Sequence, residues 1–317
     1  MDKLELIKRN CEEIINEKQL KELIKKKNPI TYCGYEISGE IHLGHLVTIT
    51  KLLDLQKAGF KVKVLFADWH TYLNQKGDWD FINKQVKTWE RGFRSAGLKK
   101  VEFILGSSFQ RKSEYFDDII TLATKTTLNR GLRSMQQVAR DIEHAKISQV
   151  IYPLMQIADI KHLNVDLVHS GIEQRKIHML GVESFHLIRY KVPAFVHTPL
   201  ISSLKGPGKM SSSDIGSLIS IRDKDEDIKS KIKKAYCPEG VVKDNPILQI
   251  SQLVIFPRVK EFKVERDKKF GGNLKFNNYN DLEKIFAKKE LHPLDLKNSV
   301  AKYLVEILKP IRNAFGK

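Results

Sequence analysis

The sequence lacks several features that would narrow its function at once. Three cysteines (Cys11, Cys33 and Cys237) occur among 317 residues, and none belongs to a Cys-x-x-Cys pair. An odd number of isolated cysteines argues against a disulfide framework and against a zinc site. No apolar run approaches the roughly 20 residues that span a bilayer, and the charged start MDKLELIKRN lacks the apolar stretch of a secretory signal. We therefore expect a cytoplasmic protein with reduced thiols and no membrane segment.

Acidic residues are also few relative to basic ones. Lysine and arginine number 55 against 38 aspartates and glutamates, which gives a net charge of +17. An excess of this size favours a polyanionic partner such as nucleic acid, although a lysine-rich proteome would produce it too. The excess is spread along the chain and not confined to one tail, which favours a long contact surface.

Alternating apolar strands and helical patterns predict the fold class. A β-rich run, ITYCGYEIS, precedes a helical pattern in IHLGHLVTITKLLDLQKAG and then a short apolar strand, KVKVLFAD. Such a βαβ unit implies a parallel sheet. Further strands are predicted at 99–107 and 165–171, and a helix at 2–26. The simplest fold class that accounts for these elements is α/β, with a Rossmann-like doubly wound parallel sheet.

Composition changes twice along the chain. Residues from about 75 to 148 are strongly charged and mostly helical in pattern, which indicates a helical insertion in a first domain of residues 1–240. The Gly/Ser-rich stretch LKGPGKMSSSDIGS occupies 204–217 of that domain. Residues 241–317 predict a smaller, mainly helical C-terminal domain, with its last helix interrupted at Pro310.

The stretch GEIHLGHLVTI places His42 and His45 where the first strand of the βαβ unit passes into its helix. A helix N-terminus suits phosphate because its backbone N–H groups are unpaired, and Gly44 lets a ligand approach the backbone closely. A metal site needs further ligands, and no Cys or Glu is placed to complete the shell. By themselves, the two histidines leave metal binding, acid–base catalysis and ordinary packing open, and their position at a strand-to-helix turn favours phosphate.

A second stretch, GKMSSS at 208–213, combines one lysine with glycines and serines. A mobile solvated loop often has this composition. A phosphate clamp has it too, because Lys209 supplies charge while the serines supply hydroxyl and backbone donors. The stretch is not a Walker A motif, since GxxxxGK[ST] is absent.

Together, HLGH after the first strand and KMSSS after the last resemble the two signatures of class I aminoacyl-tRNA synthetases. Six stretches extend the likeness to the tyrosyl-tRNA synthetases of the archaeal and eukaryotic type: TYCGYEISGEIHLGH, LFADWHTYLNQKG, VIYPLMQIADI, GIEQRKIHML, GPGKMSSS and KKAYCPEGV. The resemblance runs nearly end to end. It implies a class I catalytic domain over 1–240, an anticodon-binding domain over 241–317 and the activity of a tyrosine–tRNA ligase.

The resemblance also implies which residues hold the amino acid. Tyr32 and Asp159 match the pair that hydrogen-bonds the substrate phenol, and such a pair rejects an analogue without the hydroxyl. Tyr152, Gln156 and Gln174 match the residues that hold the α-amino group. Gly34, Glu36, Ala67 and His70 match the lining of the tyrosine pocket. The sequence departs from family habit at Ile37, Ala158 and Cys33, which concerns the shape of the pocket and not the reaction.

The implied chemistry begins with attack of the tyrosine carboxylate on the α-phosphate of ATP. His42, His45 and Lys209 match the groups that stabilise the reacting phosphates, and Mg²⁺ is expected to arrive on the ATP phosphates and not in a protein cage. The matching ATP-binding and catalytic positions are His42, Gly44, His45, Lys209, Met210, Ser211 and Ser212.

The tyrosyl group then passes to the terminal adenosine of tRNA(Tyr). Arg133, Arg175 and Lys176 match residues that recognise the first base pair of the acceptor stem, where cationic side chains suit base edges and phosphates. Phe270 and Asp295 match an anticodon pair, with the ring stacking on a base; from sequence alone Phe270 is equally suited to the core. The resemblance further implies a homodimer built through the inserted region.

Two other functions compete with tyrosine–tRNA ligation. A related enzyme that activates another amino acid, tryptophan included, would not need the Tyr32 and Asp159 pair. A non-catalytic RNA-binding protein on the same fold would have no need of both histidines and Lys209, which are all present.

Substitution of Lys209 tests the role that the resemblance gives it. We expect Lys209→Ala to slow adenylate formation, because the charge beside the departing pyrophosphate is lost, while tyrosine binding persists. Presteady-state adenylate formation and equilibrium binding of tyrosine measure the two effects. Weaker tyrosine binding with an unchanged activation rate would contradict this role.

Overall fold

The computed structural model describes residues 1–139, 141–210 and 215–316. The chain divides into two compact units. The first comprises residues 1–39, 51–90 and 98–199, and the second comprises 40–50, 91–97 and 200–317. The predicted boundary after residue 240 does not coincide with this division, because residues 200–240 group with the C-terminal part of the chain.

A mostly parallel sheet forms the centre of the first unit. Six strands of the described chain join it in the order β1-β6-β5-β2-β3-β4. All neighbours are parallel except β1, which runs antiparallel to β6 at the edge. The strands are β1 (Glu13–Ile15), β2 (Ile30–Tyr35), β3 (Lys61–Phe66), β4 (Val101–Leu105), β5 (Leu167–Gly171) and β6 (Ala194–Thr198). This confirms the α/β fold class with a doubly wound sheet.

Both faces of the central strands are covered, as a parallel sheet requires. Every residue of β5 and β6 is buried, and the apolar side of helix α8 packs with Tyr32 of β2 in one core cluster. The helices are α1 (Lys3–Lys8), α2 (Glu17–Leu23), α3 (Leu43–Lys57), α4 (Asp68–Leu73), α5 (Trp79–Ser95), α6 (Ser113–Ala123), α7 (Leu128–Met135), α8 (Ile147–His162) and α9 (Arg175–Ser184).

The span 75–148 carries α5, β4, α6 and α7. Strand β4 pairs in parallel with β3 over Val62↔Val101 to Phe66↔Leu105, as the strand predicted at 99–107 requires. Helix α5 therefore belongs to the crossover between β3 and β4. The helices α6 and α7, which follow β4, form the helical insertion.

The single helix predicted at 2–26 is wrong. The chain there forms α1, β1 and α2, with Asn10 and Asn16 in the left-handed region at φ 54° and 61°. Asparagine tolerates this conformation better than other residues with side chains. Between them, β1 pairs with β6 through Glu13↔His197, so a contact distant in sequence overrides the local helical spacing.

The second unit is mainly helical apart from two short antiparallel strand pairs, β7 with β8 and β9 with β10. Helix α13 begins with His292 as N-cap and Pro293 in its first turn, where a missing N–H costs nothing. The predicted interruption at Pro310 is wrong, since the helix continues through it to Asn313. The elements are β7 (Ser202–Ser203), β8 (Gly206–Lys209), α10 (Asp225–Lys234), α11 (Pro246–Ile250), β9 (Phe262–Val264), β10 (Leu274–Phe276), α12 (Tyr279–Ala287) and α13 (Pro293–Asn313).

Across the described ranges, no helix combines the length and the apolar character needed to cross a bilayer. The same ranges contain no group of three or more His, Cys, Asp or Glu side chains placed to hold a metal ion.

Candidate active site

The switch point of the sheet lies between β2 and β5. These neighbours are parallel, with Tyr32 opposite Val168, and their connections leave in opposite directions along the sheet. Ligands of doubly wound folds bind beyond the carboxyl ends of strands at such a point. Glu36 directly follows β2, and Gln174 lies in the short 3₁₀ turn after β5. The fold therefore brings the ends of these two predicted stretches together.

Asp159 of helix α8 is deeply buried, at 1% exposure. Its Oδ1 accepts hydrogen bonds from Gln110 Nε2 and from the Tyr115 hydroxyl, both at 2.8 Å. Burial raises the pKa of Asp159 to about 7, although these two donors act to lower it. Burial also raises the pKa of Tyr32, with the Asp159 charge adding to the effect. Both predicted phenol-binding groups thus share one buried environment.

His70 of helix α4 lies beside Asp159 without forming an ion pair. Its Nε2 is 3.6 Å from Asp159 Oδ2, which is longer than a hydrogen bond. Burial lowers the pKa of His70 to about 3, so the ring is neutral at pH 7. The ring packs edge-on against Tyr152, with centroids 4.6 Å apart. Neither ring nitrogen meets the geometry of a hydrogen bond with a described residue, although the Tyr152 backbone acts to raise the pKa of the ring.

The residues predicted to hold an ammonium group lie next to one another. Gln156 Nε2 is 3.4 Å from Gln174 Oε1, and it is 3.2 Å from His178 Nε2. Burial raises the pKa of Tyr152, and the charge of Glu36 and a hydrogen bond with it raise the pKa further. Glu36 in turn accepts from Asn74 Nδ2 at 2.7 Å and pairs with Lys76.

The remaining predicted pocket positions are small or buried. Ala67 follows β3 and is 5% exposed. At Gly34, an added Cβ would lie 3.7 Å from the Tyr32 ring, which is an ordinary contact. The Cys33 thiol stays protonated and unreactive at pH 7, because burial raises its pKa to about 12.

His42 and His45 belong to the second unit and lie at the start of α3. Their rings are 4.1 Å apart between centroids. His42 Nδ1 accepts from the Gly44 N–H, and His45 Nδ1 accepts from the His42 N–H, both at 3.1 Å. Burial lowers the pKa of His42 to about 4. A neutral His42 ring that accepts at Nδ1 must carry its proton on Nε2.

The start of α3 differs from the expectation of free backbone donors. The N–H of Leu43 donates to Ile219 O at 3.1 Å, and the N–H of His45 donates to His42 O at 2.9 Å. The Gly44 N–H is used by His42. An anion at this site would therefore meet imidazole N–H groups rather than these backbone groups. Gly44 is needed here because a Cβ would lie 2.8 Å from His42 Cε1.

The second signature forms part of a hairpin. Ser202 of β7 pairs with Lys209 of β8, and the Met210 N–H donates to Ile201 O at 3.2 Å. Gly206 and Gly208 have φ of 129° and 116°, which residues with side chains rarely adopt. Ser211, Ser212 and the side chain of Lys209 lie outside the described part of the chain.

The three cationic residues predicted to meet an acceptor stem lie on two packed helices of the first unit. Arg133 is exposed on α7, and Arg175 and Lys176 open α9. Arg175 Nε donates to both carboxylate oxygens of Glu13, at 2.8 and 2.9 Å. Lys176 Nζ donates to the side-chain oxygen of Gln136.

The two residues predicted for the anticodon lie in the second unit. Phe270 is 61% exposed, which removes the alternative that its ring belongs to the core. The Lys269 ammonium lies 4.9 Å from the centre of that ring. Asp295 lies half-buried in the first turn of α13.

Three residues of the site were not predicted from the sequence. Gln110 and Tyr115 hold Asp159, and His178 contacts Gln156. Gln110 and Tyr115 come from the segment after β4, some distance along the chain from α8. No local pattern marks them, and the one signal in the sequence is that Gln110 closely follows the strand predicted at 99–107.

Comparisons with known proteins identify the family. The family model described as tRNA synthetases class I (W and Y) matches residues 25–309. The chain is 47% identical to a tyrosine–tRNA ligase from Methanosarcina mazei, over 98% of this chain and 99% of that protein. It is 49% identical to a tyrosine–tRNA ligase from Methanocaldococcus jannaschii, over 98% and 99%. The crystal structure of tyrosyl-tRNA synthetase complexed with L-tyrosine from Archaeoglobus fulgidus superposes with a TM-score of 0.96 at 48% identity, covering 99% of each chain.

The neutral state of His70 predicts an acid-sensitive stability. Because the folded pKa is about 3 and the unfolded value is about 6.5, the unfolded chain takes up a proton below pH 6.5 that the folded chain does not. The free energy of unfolding therefore falls as the pH drops, by about 2 kcal/mol for this group at pH 5.

His70→Phe should remove that contribution. Between pH 7.5 and pH 5, urea denaturation should show the variant losing about 2 kcal/mol less than the unsubstituted protein. His186→Gln, at an exposed position, is the matched control. Parallel losses in all three proteins would show that His70 binds a proton in the folded state.

Proposed function

Because the chain belongs to the class I tRNA synthetases for tryptophan and tyrosine, we propose that it is a cytoplasmic tyrosine–tRNA ligase. It activates tyrosine with ATP to tyrosyl-adenylate and pyrophosphate, and transfers the tyrosyl group to the 3′-terminal adenosine of tRNA(Tyr). One observation carries the choice of amino acid: the buried carboxyl of Asp159 shares its environment with Tyr32 at the switch point of the sheet.

Recognition of the amino acid follows from the polarity of the first unit's site. Asp159 Oδ1 is occupied by Gln110 and Tyr115, and the phenol of tyrosine supplies a donor for the other oxygen. Phenylalanine would leave this carboxyl and Tyr32 buried without that partner, which is costly. At the other end of the substrate, Tyr152, Gln156 and Gln174 supply neutral oxygens for the ammonium group. Gly34, Glu36, Ala67 and His70 line the space between.

Activation needs charge stabilisation and no protein nucleophile. The tyrosine carboxylate attacks the α-phosphorus, and the bond from that phosphorus to the bridging oxygen of pyrophosphate breaks. His42 and His45 donate from their imidazoles to the phosphoryl oxygens, where negative charge grows in the transition state. Lys209, Met210, Ser211 and Ser212 hold the nucleotide, with Lys209 facing the departing pyrophosphate. Mg²⁺ enters as part of the substrate, because a hard cation prefers phosphate oxygens.

Transfer requires the acceptor end of tRNA at the first unit. Arg133, Arg175 and Lys176 present positive charge on neighbouring helices, which suits the first base pair and its phosphates. The net charge of +17 supports an extended contact with a polyanion.

Residues 241–317 act as the anticodon-binding domain in this proposal. Phe270 is exposed, and its ring can stack on an unpaired base in place of the Lys269 ammonium that lies over it. Asp295, at the start of α13, reads the edge of that base as a hydrogen-bond acceptor.

A homodimer is part of the same proposal. Large apolar side chains are exposed at one-turn spacing on two packed helices, with Phe116 and Ile120 on α6 and Ile147 and Ile151 on α8. Residues four apart share a helix face, and exposed apolar faces of this kind mark protein interfaces. The second copy of the chain is the occupant that covers them.

Amino-acid-dependent ATP–pyrophosphate exchange tests the substrate. Across all twenty amino acids, we expect the highest kcat/KM with tyrosine, and a value for phenylalanine at least about 100-fold lower because a buried carboxyl would lose its partner. Higher exchange with any other amino acid would overturn the assignment. No exchange at all would favour an RNA-binding protein on a synthetase fold.

Asp295→Ala tests the anticodon role. The variant should lower kcat/KM for aminoacylation by on the order of 10-fold, since one base-edge contact is lost, while ATP–pyrophosphate exchange stays unchanged. Glu306→Ala, exposed on the same helix, is the matched control. Equal aminoacylation of native and anticodon-substituted tRNA by the unsubstituted protein would also contradict the role.

A further inference from the structure

A continuous line of hydrogen bonds runs from the edge of the sheet to the amino-acid site. Glu13 Oε2 lies 2.9 Å from His197 Nδ1, and His197 Nε2 lies 2.8 Å from His178 Nδ1. His178 Nε2 then lies 3.2 Å from Gln156 Nε2. The two imidazole planes differ by only 13°, which suits an in-line contact between ring nitrogens. At its outer end, Glu13 is held by Arg175.

Chemistry fixes the position of each proton in this line. An ionised Glu13 can only accept, so His197 must carry its proton on Nδ1. A neutral His197 then presents a bare Nε2, which can only accept from His178 Nδ1–H. A neutral His178 in turn presents a bare Nε2. Gln156 must direct its NH₂ group there, so its carbonyl oxygen is turned away from His178.

Burial supports the neutral state of both rings. Both His178 and His197 are at most 1% exposed. Burial lowers the pKa of His178 well below its ordinary value, and the neighbouring His197 and His169 lower it further. Burial also lowers the pKa of His197, although Glu13 acts in the opposite direction. Burial alone would raise the pKa of Glu13, but hydrogen bonds from Arg175 and His197 outweigh it and the pKa is lowered.

We propose that Glu13, His197 and His178 are positioning residues that fix the amide orientation of Gln156, so that its carbonyl oxygen accepts from the ammonium group of bound tyrosine. The proposal rests on the role given to Gln156 under the proposed function. A free amide could rotate by half a turn and present its NH₂ group to the ammonium, which would repel it. The hydrogen-bonded line Glu13–His197–His178, called the relay below, removes that second orientation.

A merely structural role would look different in a binding experiment. Loss of core packing would weaken every phenolic ligand, whereas loss of the relay would weaken only ligands that carry an ammonium group. Tyramine and 4-propylphenol form a suitable pair of probes, because they differ in an ammonium against a methyl group. The measured quantity is the ratio of their dissociation constants by calorimetry.

Four variants separate the possibilities. Gln156→Ala removes the acceptor itself. His178→Phe and His197→Leu interrupt the relay. His197→Gln keeps it, because a glutamine can donate to Glu13 from its NH₂ group and accept from His178 at its oxygen.

We expect the unsubstituted protein and His197→Gln to prefer tyramine by at least about 10-fold, the value of a hydrogen bond to a charged group. His178→Phe, His197→Leu and Gln156→Ala should lower this preference by about 10-fold, with Tyr152 and Gln174 left as acceptors, while the dissociation constant of 4-propylphenol stays within about threefold. A preserved ratio in His197→Leu, or equal weakening of both probes, would overturn the relay.

The outcome also distinguishes the relay from the function on which it rests. If Gln156→Ala keeps the full preference for tyramine, the role given to Gln156 is wrong. If neither phenol binds the unsubstituted protein, the choice of tyrosine is wrong. If Gln156→Ala loses the preference and His197→Leu keeps it, only the relay is wrong.

Nitrogen-15 NMR of the unsubstituted protein provides a test that does not depend on the folding of any variant. At pH 7.5, long-range couplings should show His178 and His197 neutral with the proton on Nδ1. A proton on Nε2 of either ring would contradict the proposed polarity.

Discussion

The parallel pairing of β2 with β5 is the constraint on which the rest of the site depends. These strands are about 130 residues apart in sequence, as a crossover connection in a parallel sheet allows, and Tyr32 meets Val168 in their register. The chain continues from β2 to β3 on one side of this pair and from β5 to β6 on the other. Everything that follows the two strands must then converge at one edge, which is why Glu36 and Gln174 can serve a single ligand.

The part of the first unit's site around His70 and Asp159 is polar yet carries little fixed charge. His70 is neutral, and Asp159 titrates near neutrality because burial raises its pKa to about 7. A ligand with a neutral phenol at one end and a small cation at the other suits such a site, since hydrogen-bond direction does the selecting. In the second unit, burial likewise lowers the pKa of His42, to about 4, so this ring is neutral at pH 7 and offers a ligand a dipole and not a charge.

Local patterns were sufficient to predict β2, α3 and β3, because each has its own periodicity and a glycine or charged residue where it ends. They failed over residues 2–26, where helical spacing was real but Asn10 and Asn16 adopt left-handed conformations and β1 pairs with a strand 180 residues later. The prediction that the last helix is interrupted at Pro310 also failed, because α13 continues through this proline to Asn313. Tyr32, Asp159 and the two signature histidines were reached through resemblance. The contacts of Gln110, Tyr115 and His178 depend on how distant helices pack, and no single stretch of sequence encodes them.

The three thiols described here share one further property. Burial raises the pKa of Cys11, of Cys33 and of Cys237 above the ordinary value for a thiol. Because the thiolate is the reactive species, all three resist alkylation and oxidation near pH 7. The native thiols therefore contribute little background when an introduced cysteine is labelled. A cysteine introduced at an exposed position away from α6 and α8, such as that of Glu306 in α13, would react first and report on RNA binding without removal of the native thiols.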